Sequence, residues 1–283
     1  MAFHPLANLG GGLAGRRSAG EGEGVLWLHA YGLDSSCWTE LWDRLPRWRH
    51  VGVDLPGHGL SEPLPPREDL HGLAERLCEL AARHRVRHVV GLSLGATLAL
   101  AMALERRSTL SSLVLASPLP AGVPETEAFW RRYRELANMY AMAGFGAHLR
   151  GRLMLVEPSI FDGARVRPGL WDRLWSIVGR HPFWDLSHAG YLRVSSPAWP
   201  DDALRQVELP ALLIADRSDA GGSGAVADRW AAALPRAVSA ELPGAAHLAL
   251  LETPAAAAAA LDAHFGARAA SAREPGARTE EPL

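Results

Sequence analysis

Val89-Val90-Gly91-Leu92-Ser93-Leu94-Gly95-Ala96 (VVGLSLGA) is the stretch that decides the fold. The apolar run His88–Leu92 reads as a buried strand, and Leu94–Leu104 reads as a helix rich in Leu and Ala. Between them, Gly91-Leu92-Ser93-Leu94-Gly95 matches G-x-S-x-G. A strand that turns sharply into a helix needs small residues around the corner, and Gly91, Gly95 and Ala96 supply them. Such a turn lifts the Ser93 hydroxyl beyond the strand end, close to the positive end of a helix. The motif alone is weak evidence; its strand–turn–helix setting makes Ser93 a candidate nucleophile.

Outward from this corner, short apolar runs alternate with helical patterns. Val25–Ala30, Val51–Leu55, Leu113–Ala116, Ala211–Ala215 and Val238–Leu242 read as further strands. Leu70–Arg85 carries Leu70, Leu73, Leu77, Cys78 and Ala81 at helical spacing, and helices are also expected over about 225–233 and 252–265. This alternation predicts an α/β fold: a mostly parallel central sheet with helices on both faces. The expected organisation is a flexible N-terminal segment over 1–23 with a frayed tail and one short strand of a hairpin, a core over 24–119 and 208–266, and a disordered tail over 267–283, rich in Ala, Arg, Glu and Pro. Between them, 120–207 loses the strand pattern and is expected to form a helical cap or lid of about four helices. That segment is rich in aromatic residues and Met. Trp130, Tyr140, Met142, Trp175 and Trp184 are its candidate substrate contacts, because apolar and aromatic side chains dominate ligand clefts.

A serine hydroxyl needs a base. His247 lies in Leu242-Pro243-Gly244-Ala245-Ala246-His247, after the last expected strand, where a loop can reach over the sheet edge. The base in turn needs an acid to orient it and to stabilise its charged form. Asp216 and Asp219 both follow the strand Ala211–Ala215; Asp219 lies further into the loop and can turn back toward His247 more easily. The developing oxyanion needs amide donors. The N–H of Leu94, just after the nucleophile, and that of Tyr31, in the loop after the first central strand, are the candidates.

The chain resembles the α/β-hydrolase superfamily, in its lidded branch of esterase, lactonase and haloperoxidase-like members. The likeness runs over about 24–265, interrupted by the variable cap. It rests on VLWLHAYG (Val25–Gly32), DLPGHGLS (Asp54–Ser61), VVGLSLGA (Val89–Ala96), LLIADRSD (Leu212–Asp219) and LPGAAH (Leu242–His247), in family order. The resemblance implies a Ser93–Asp219–His247 triad, the Tyr31 amide as an oxyanion donor, and structural turn roles for His29 and His58. The sequence departs from the pattern at Ala30, where Gly is usual, and at Asp216, where the acid loop often has Gly.

Composition narrows the function classes. The formal net charge of the 283-residue chain is −2, which disfavours nucleic acid or an anionic membrane as the main partner. All basic residues are Arg, none Lys. Two cysteines, Cys37 and Cys78, are too few for a disulfide framework and are expected as buried thiols. Arg16-Arg17 is not followed by an apolar stretch, and no apolar run is long enough to span a bilayer, so a cytoplasmic protein is expected. No H-E-x-x-H, Cys/His cluster, P-loop or dinucleotide fingerprint is present, so neither metal nor cofactor is expected. The expected activity is hydrolysis of a carboxylic ester, lactone or thioester of a hydrophobic or aromatic small molecule through an acyl-enzyme. The same triad also suits acyl transfer, carbon–carbon bond hydrolysis or perhydrolysis. A binding protein that has kept the hydrolase fold, or a scaffold presenting the aromatic cap, are the non-enzymatic rivals. The sequence leaves monomer and homo-oligomer equally open.

Overall fold

The computed structural model describes residues 4–18, 20–105, 108–119, 126–157, 159–188, 190–195, 199–216 and 222–271. Its first elements are β1 (Leu6–Gly10), β2 (Leu13–Arg17), β3 (Gly24–Leu28), a 3₁₀ turn (Ser35–Trp38), α1 (Thr39–Trp42) and β4 (Arg49–Val53). Next come α2 (Leu70–Arg83), β5 (Val86–Leu92), α3 (Leu94–Leu104) and β6 (Ser112–Ala116). An insertion follows, with α4 (Thr126–Ala143), α5 (Ala147–Leu155), α6 (Asp162–Arg165), α7 (Pro168–Arg180), α8 (Asp185–His188), α9 (Gly190–Val194) and α10 (Asp201–Leu204). The chain then returns through β7 (Ala211–Ile214), α11 (Ser223–Ala233), β8 (Ala237–Ala240), α12 (Ala249–Glu252) and α13 (Pro254–Ser271).

The eight strands form one sheet in the order β1-β2-β4-β3-β5-β6-β7-β8. From β4 to β8 every pairing is parallel; β2 joins β4, and β1 joins β2, antiparallel. β3, β5 and β6 are almost wholly buried, as expected of apolar runs covered on both faces. α3 is apolar all round and nearly every residue is buried, the mark of a helix inside the core and not on its surface. β4 and β5 lie on opposite sides of β3, so the connections leaving β3 and β5 diverge there. This is the switch point at whose carboxyl edge open α/β sheets hold their ligands.

Three sequence expectations change. The N-terminal segment, expected to be flexible with one short hairpin strand, contributes both strands of the hairpin: Gly10, Gly11 and Gly12 take positive φ angles of 87°, 64° and 73° at its turn, and Leu9 and Leu13 are buried under it. Arg76 and Arg83 of α2 donate to the carbonyls of Gly11 and Leu9 and pin the hairpin to the core. The last helix begins at Pro254 and continues to Ser271, past the expected core end at 266; residues 272–283 of the expected tail lie outside the described ones. Among the described residues of the insertion there are seven helical segments instead of about four and no strand. The punctuation has local causes: Gly144 (φ 65°) ends the turn after α4, and Pro168 opens α7, whose last residue precedes His181-Pro182. Both cysteines are buried free thiols, and burial pushes Cys78 up to about 12.

Candidate active site

The corner between β5 and α3 is sterically strained and fully packed. Ser93 has φ 58° and ψ −114°, a positive-φ conformation that costs energy for any residue but Gly. Its N–H donates to Ala116 O at 2.9 Å, and its carbonyl accepts the N–H of Ala96 at 2.9 Å, so both neighbouring elements hold the bend. A Cβ on Gly91 would lie 2.1 Å from Gly95 O, and one on Gly95 would lie 2.0 Å from Leu28 O. The two glycines are thus required by close backbone approach, not by flexibility.

His247 hangs from the loop between β8 and α12, and its Nε2 lies 3.0 Å from Ser93 Oγ. Residues 154 positions apart in the chain therefore meet within hydrogen-bond reach. Both are almost completely buried, at 1% and 3% exposure. The loop is held from two sides. Glu252 accepts from Ala246 N–H at 2.5 Å and from Leu248 N–H at 3.2 Å, bracketing His247. Burial raises the Glu252 carboxyl above its ordinary range, against the opposing pull of those two amides and of the Arg167 charge. Arg167 of the insertion donates to Gly244 O at 2.5 Å and also to Gly163 O. Asp219, the expected acid, lies outside the described residues; Asp216, the alternative, is half-buried directly after β7.

Tyr31 sits in the turn after β3. His29 Nε2 accepts from Leu55 N–H at 2.9 Å, and His58 Nε2 accepts from Gly32 N–H at 3.1 Å. Each ring keeps its proton on Nδ1, facing the carbonyls of Ala30 and Pro56. These two histidines brace the turn in the neutral state, and burial holds both below the ordinary imidazole range. Leu94 is the first residue of α3, and the first amides of a helix have no intrahelical acceptor.

A cavity of about 380 Å³ begins one residue beyond Ser93, at Leu94 and Leu98 of α3. The turn around His58, the proline-rich stretch Pro63–Pro66, Leu73 and the α8–α9 region of the insertion complete its walls. Trp184 lines it; Trp130, Tyr140, Met142 and Trp175 do not. Trp130 instead packs its ring 6.2 Å from Tyr133 and 6.3 Å from Tyr191. Tyr140 is half-buried against the core, and Trp175 lies under the Arg150 guanidinium, 4.1 Å from its ring centroid. Met142 is 88% exposed, because nine residues at about 100° each carry it to the face of α4 opposite the buried Tyr133.

Sequence reasoning missed Glu252, Arg167 and, above all, Asp185. The Asp185 carboxylate accepts from Tyr31 OH at 3.0 Å and from Tyr133 OH at 3.2 Å, joining the insertion to the turn after β3. No local pattern marks a lone Asp at the start of a four-residue helix. Glu252 carried one weak signal, a carboxylate five positions past His247 in an otherwise apolar stretch.

The profile of the Alpha/beta hydrolase family matches residues 25–261. A pimeloyl-[acyl-carrier protein] methyl ester esterase of Nitrosomonas europaea is 28% identical over 242 residues, spanning 84% of this chain and 93% of that protein. MenH from S. aureus superimposes with a TM-score of 0.77 at 16% identity, over 89% of this chain and 98% of its own. The enol-lactonase from Burkholderia xenovorans LB400 gives a TM-score of 0.73 at 20% identity, over 93% and 100%. The strained serine corner, the histidine that meets it and the family profile spanning both agree: this chain belongs to the alpha/beta hydrolase family.

Proposed function

We propose that the chain is a serine hydrolase that cleaves a carboxylic ester, lactone or thioester of an apolar small molecule through an acyl-enzyme on Ser93. The observation that carries this reading is the 3.0 Å separation of His247 Nε2 and Ser93 Oγ at a strained corner. His247 takes the hydroxyl proton as Ser93 attacks the carbonyl, then returns it to the leaving oxygen or sulfur; water, activated by the same imidazole, releases the acyl group. The amides of Tyr31 and Leu94 stabilise the oxyanion, a contribution of about 2.7–4 kcal/mol per donor in comparable enzymes. Asp219 orients the imidazole, with Asp216 the alternative. No described helix is long and apolar enough to cross a membrane. The insertion acts as a lid. Ser93 and His247 are nearly inaccessible as they stand, and the lid moves aside to admit substrate.

Apolar walls around the cavity support an aliphatic or aromatic acyl or alcohol group, and the relatives that are esterases and lactonases support ester bonds as the target. The test is a screen across esters, lactones and thioesters with Ser93→Ala as blank. The variant is expected to lose turnover by on the order of 10⁶-fold. Turnover that persists in Ser93→Ala overturns the assignment. Running the same screen with alcohol and peroxide acceptors separates hydrolysis from acyl transfer and perhydrolysis.

A further inference from the structure

Asp185 opens α8 and is one of the residues that line a mostly apolar cavity, with its carboxylate held by groups packed behind that wall. Its side chain is only 10% exposed. Two phenols hold it: Tyr31 OH at 3.2 and 3.0 Å from its two oxygens, and Tyr133 OH at 3.2 Å from one of them. His181 Nε2 stands 3.7 Å away, in a ring whose two nitrogens have no hydrogen-bond partner among the described residues. An ionised carboxylate has about four acceptor sites, so two hydroxyl donors leave room for a third and fourth.

The charge on Asp185 is felt by its neighbours: beside the effect of burial, it raises the phenols of Tyr31, Tyr133 and Tyr191 above their ordinary range. Among the described residues that line the cavity, none forms an ion pair with Asp185; its one such contact is His181, outside the lining, at 3.7 Å. Arg193 lines the same space, but its Nε donates to Glu68 O and its Nη2 to Pro65 O, both at 3.2 Å, tying the guanidinium to the proline-rich stretch. His58 is held neutral by burial. His188 is exposed, with its Nδ1 2.6 Å from Ser187 Oγ. A second carboxylate brought into this space would meet a like charge in a poorly solvated wall, which costs far more than in water. A hydroxyl or ammonium would instead find an acceptor already oriented by two phenols.

We propose that Asp185 is a specificity-determining residue: it makes the cavity reject substrate tails that end in a carboxylate and favour tails that end in a hydrogen-bond donor. This rests on Ser93 as nucleophile and on the cavity as the site of the substrate tail.

The experiment compares 4-nitrophenyl esters of hexanoic acid, 6-hydroxyhexanoic acid and adipic acid, the last as the monoester with a free terminal carboxylate. Each is assayed with the wild-type protein, Asp185→Asn and Ser93→Ala. In the wild type, kcat/KM for the adipate monoester is expected to fall at least tenfold below that for the 6-hydroxyhexanoate. Asp185→Asn keeps an acceptor oxygen for the phenols but removes the charge, and is expected to shrink that ratio at least tenfold. Equal turnover of the acid-tailed and hydroxyl-tailed esters by the wild type overturns the proposal, and does so even if the variant does not fold. A ratio unchanged in Asp185→Asn overturns it as well. Activity on hexanoate that is absent in Ser93→Ala, together with a flat ratio, removes the role of Asp185 alone; no Ser93-dependent turnover of any ester removes the hydrolase reading beneath it.

Discussion

Glu252→Ala should damage both stability and turnover, and the size of each effect follows from two hydrogen bonds. The carboxylate takes Ala246 N–H on one oxygen and Leu248 N–H on the other, so that the residues on both sides of His247 are fixed by one side chain. Leu248 is fully buried and Ala246 half-buried. A buried donor left without an acceptor costs about 1–3 kcal/mol. The Ala246 amide can recover part of its bonding from water, so the total is expected at about 2–4 kcal/mol. Gly163 packs so closely on Glu252 that a Cβ there would lie 2.5 Å from Oε1, and the truncation therefore also leaves a gap against the insertion. A displacement of about 1 Å in a reacting group costs on the order of 10²-fold in rate, so kcat should drop about 10–100-fold, with KM less affected. Glu252→Gln, with one acceptor oxygen instead of two, should fall between wild type and Ala in both readouts. Urea denaturation gives the stability, and ester hydrolysis by the folded fraction gives kcat and KM. A loss below about 1 kcal/mol with kcat unchanged would refute the idea that Glu252 positions the histidine.

Two further outcomes are expected. Burial pushes the His50 imidazole down to about 4, against a hydrogen bond to Leu45 O that favours its charged form. Its Nδ1 accepts from Trp27 Nε1–H at 3.1 Å, so protonation there would break a bond in the core. A folded value below the unfolded one means that the stabilisation is complete above about pH 6.5 and is lost as pH falls toward 4, by up to about 3 kcal/mol. Urea curves at neutral pH and near pH 4.5 should show this loss in the wild type and much less of it in His50→Gln; parallel curves would contradict the assignment. Gly91→Ala is expected to prevent folding or cost more than about 4 kcal/mol, because its Cβ would collide with the backbone of the next turn. Gly57→Ala has open space and only a positive φ of 76° to overcome, so about 1–2 kcal/mol is expected; thermal unfolding of the pair checks both, and similar losses would refute the steric account.

Much of the core was legible because its signals are local. β5 and α3 appear at Val86–Leu92 and Leu94–Leu104, close to where the apolar run and the helix formers around Ser93 put them. Glycines at 91 and 95 announced a corner that only small residues can turn, and the order of the blocks announced a loop histidine after the last strand. The N-terminal hairpin was legible only as one short strand beside a frayed end, because its glycine turn and short, weakly apolar strands carry little pattern until β4 offers an edge to pair with. The insertion was misread in detail for a related reason. Its aromatics are abundant, but which of them line the cavity depends on the face each helix turns inward, and helical spacing alone does not say where inward lies.

Sequence alone determined the parallel part of the sheet and the tight corner at Ser93, since each follows from sterics and polarity within a few residues. Tertiary structure alone decided that Glu252 grips both flanks of His247, that Tyr31 and Asp185, 154 residues apart, share a bond, and that Asp185 lines the cavity. Those arrangements are set by how the insertion seats on the sheet edge. That seating is a sum of many long-range contacts, and no period or motif in the chain records it.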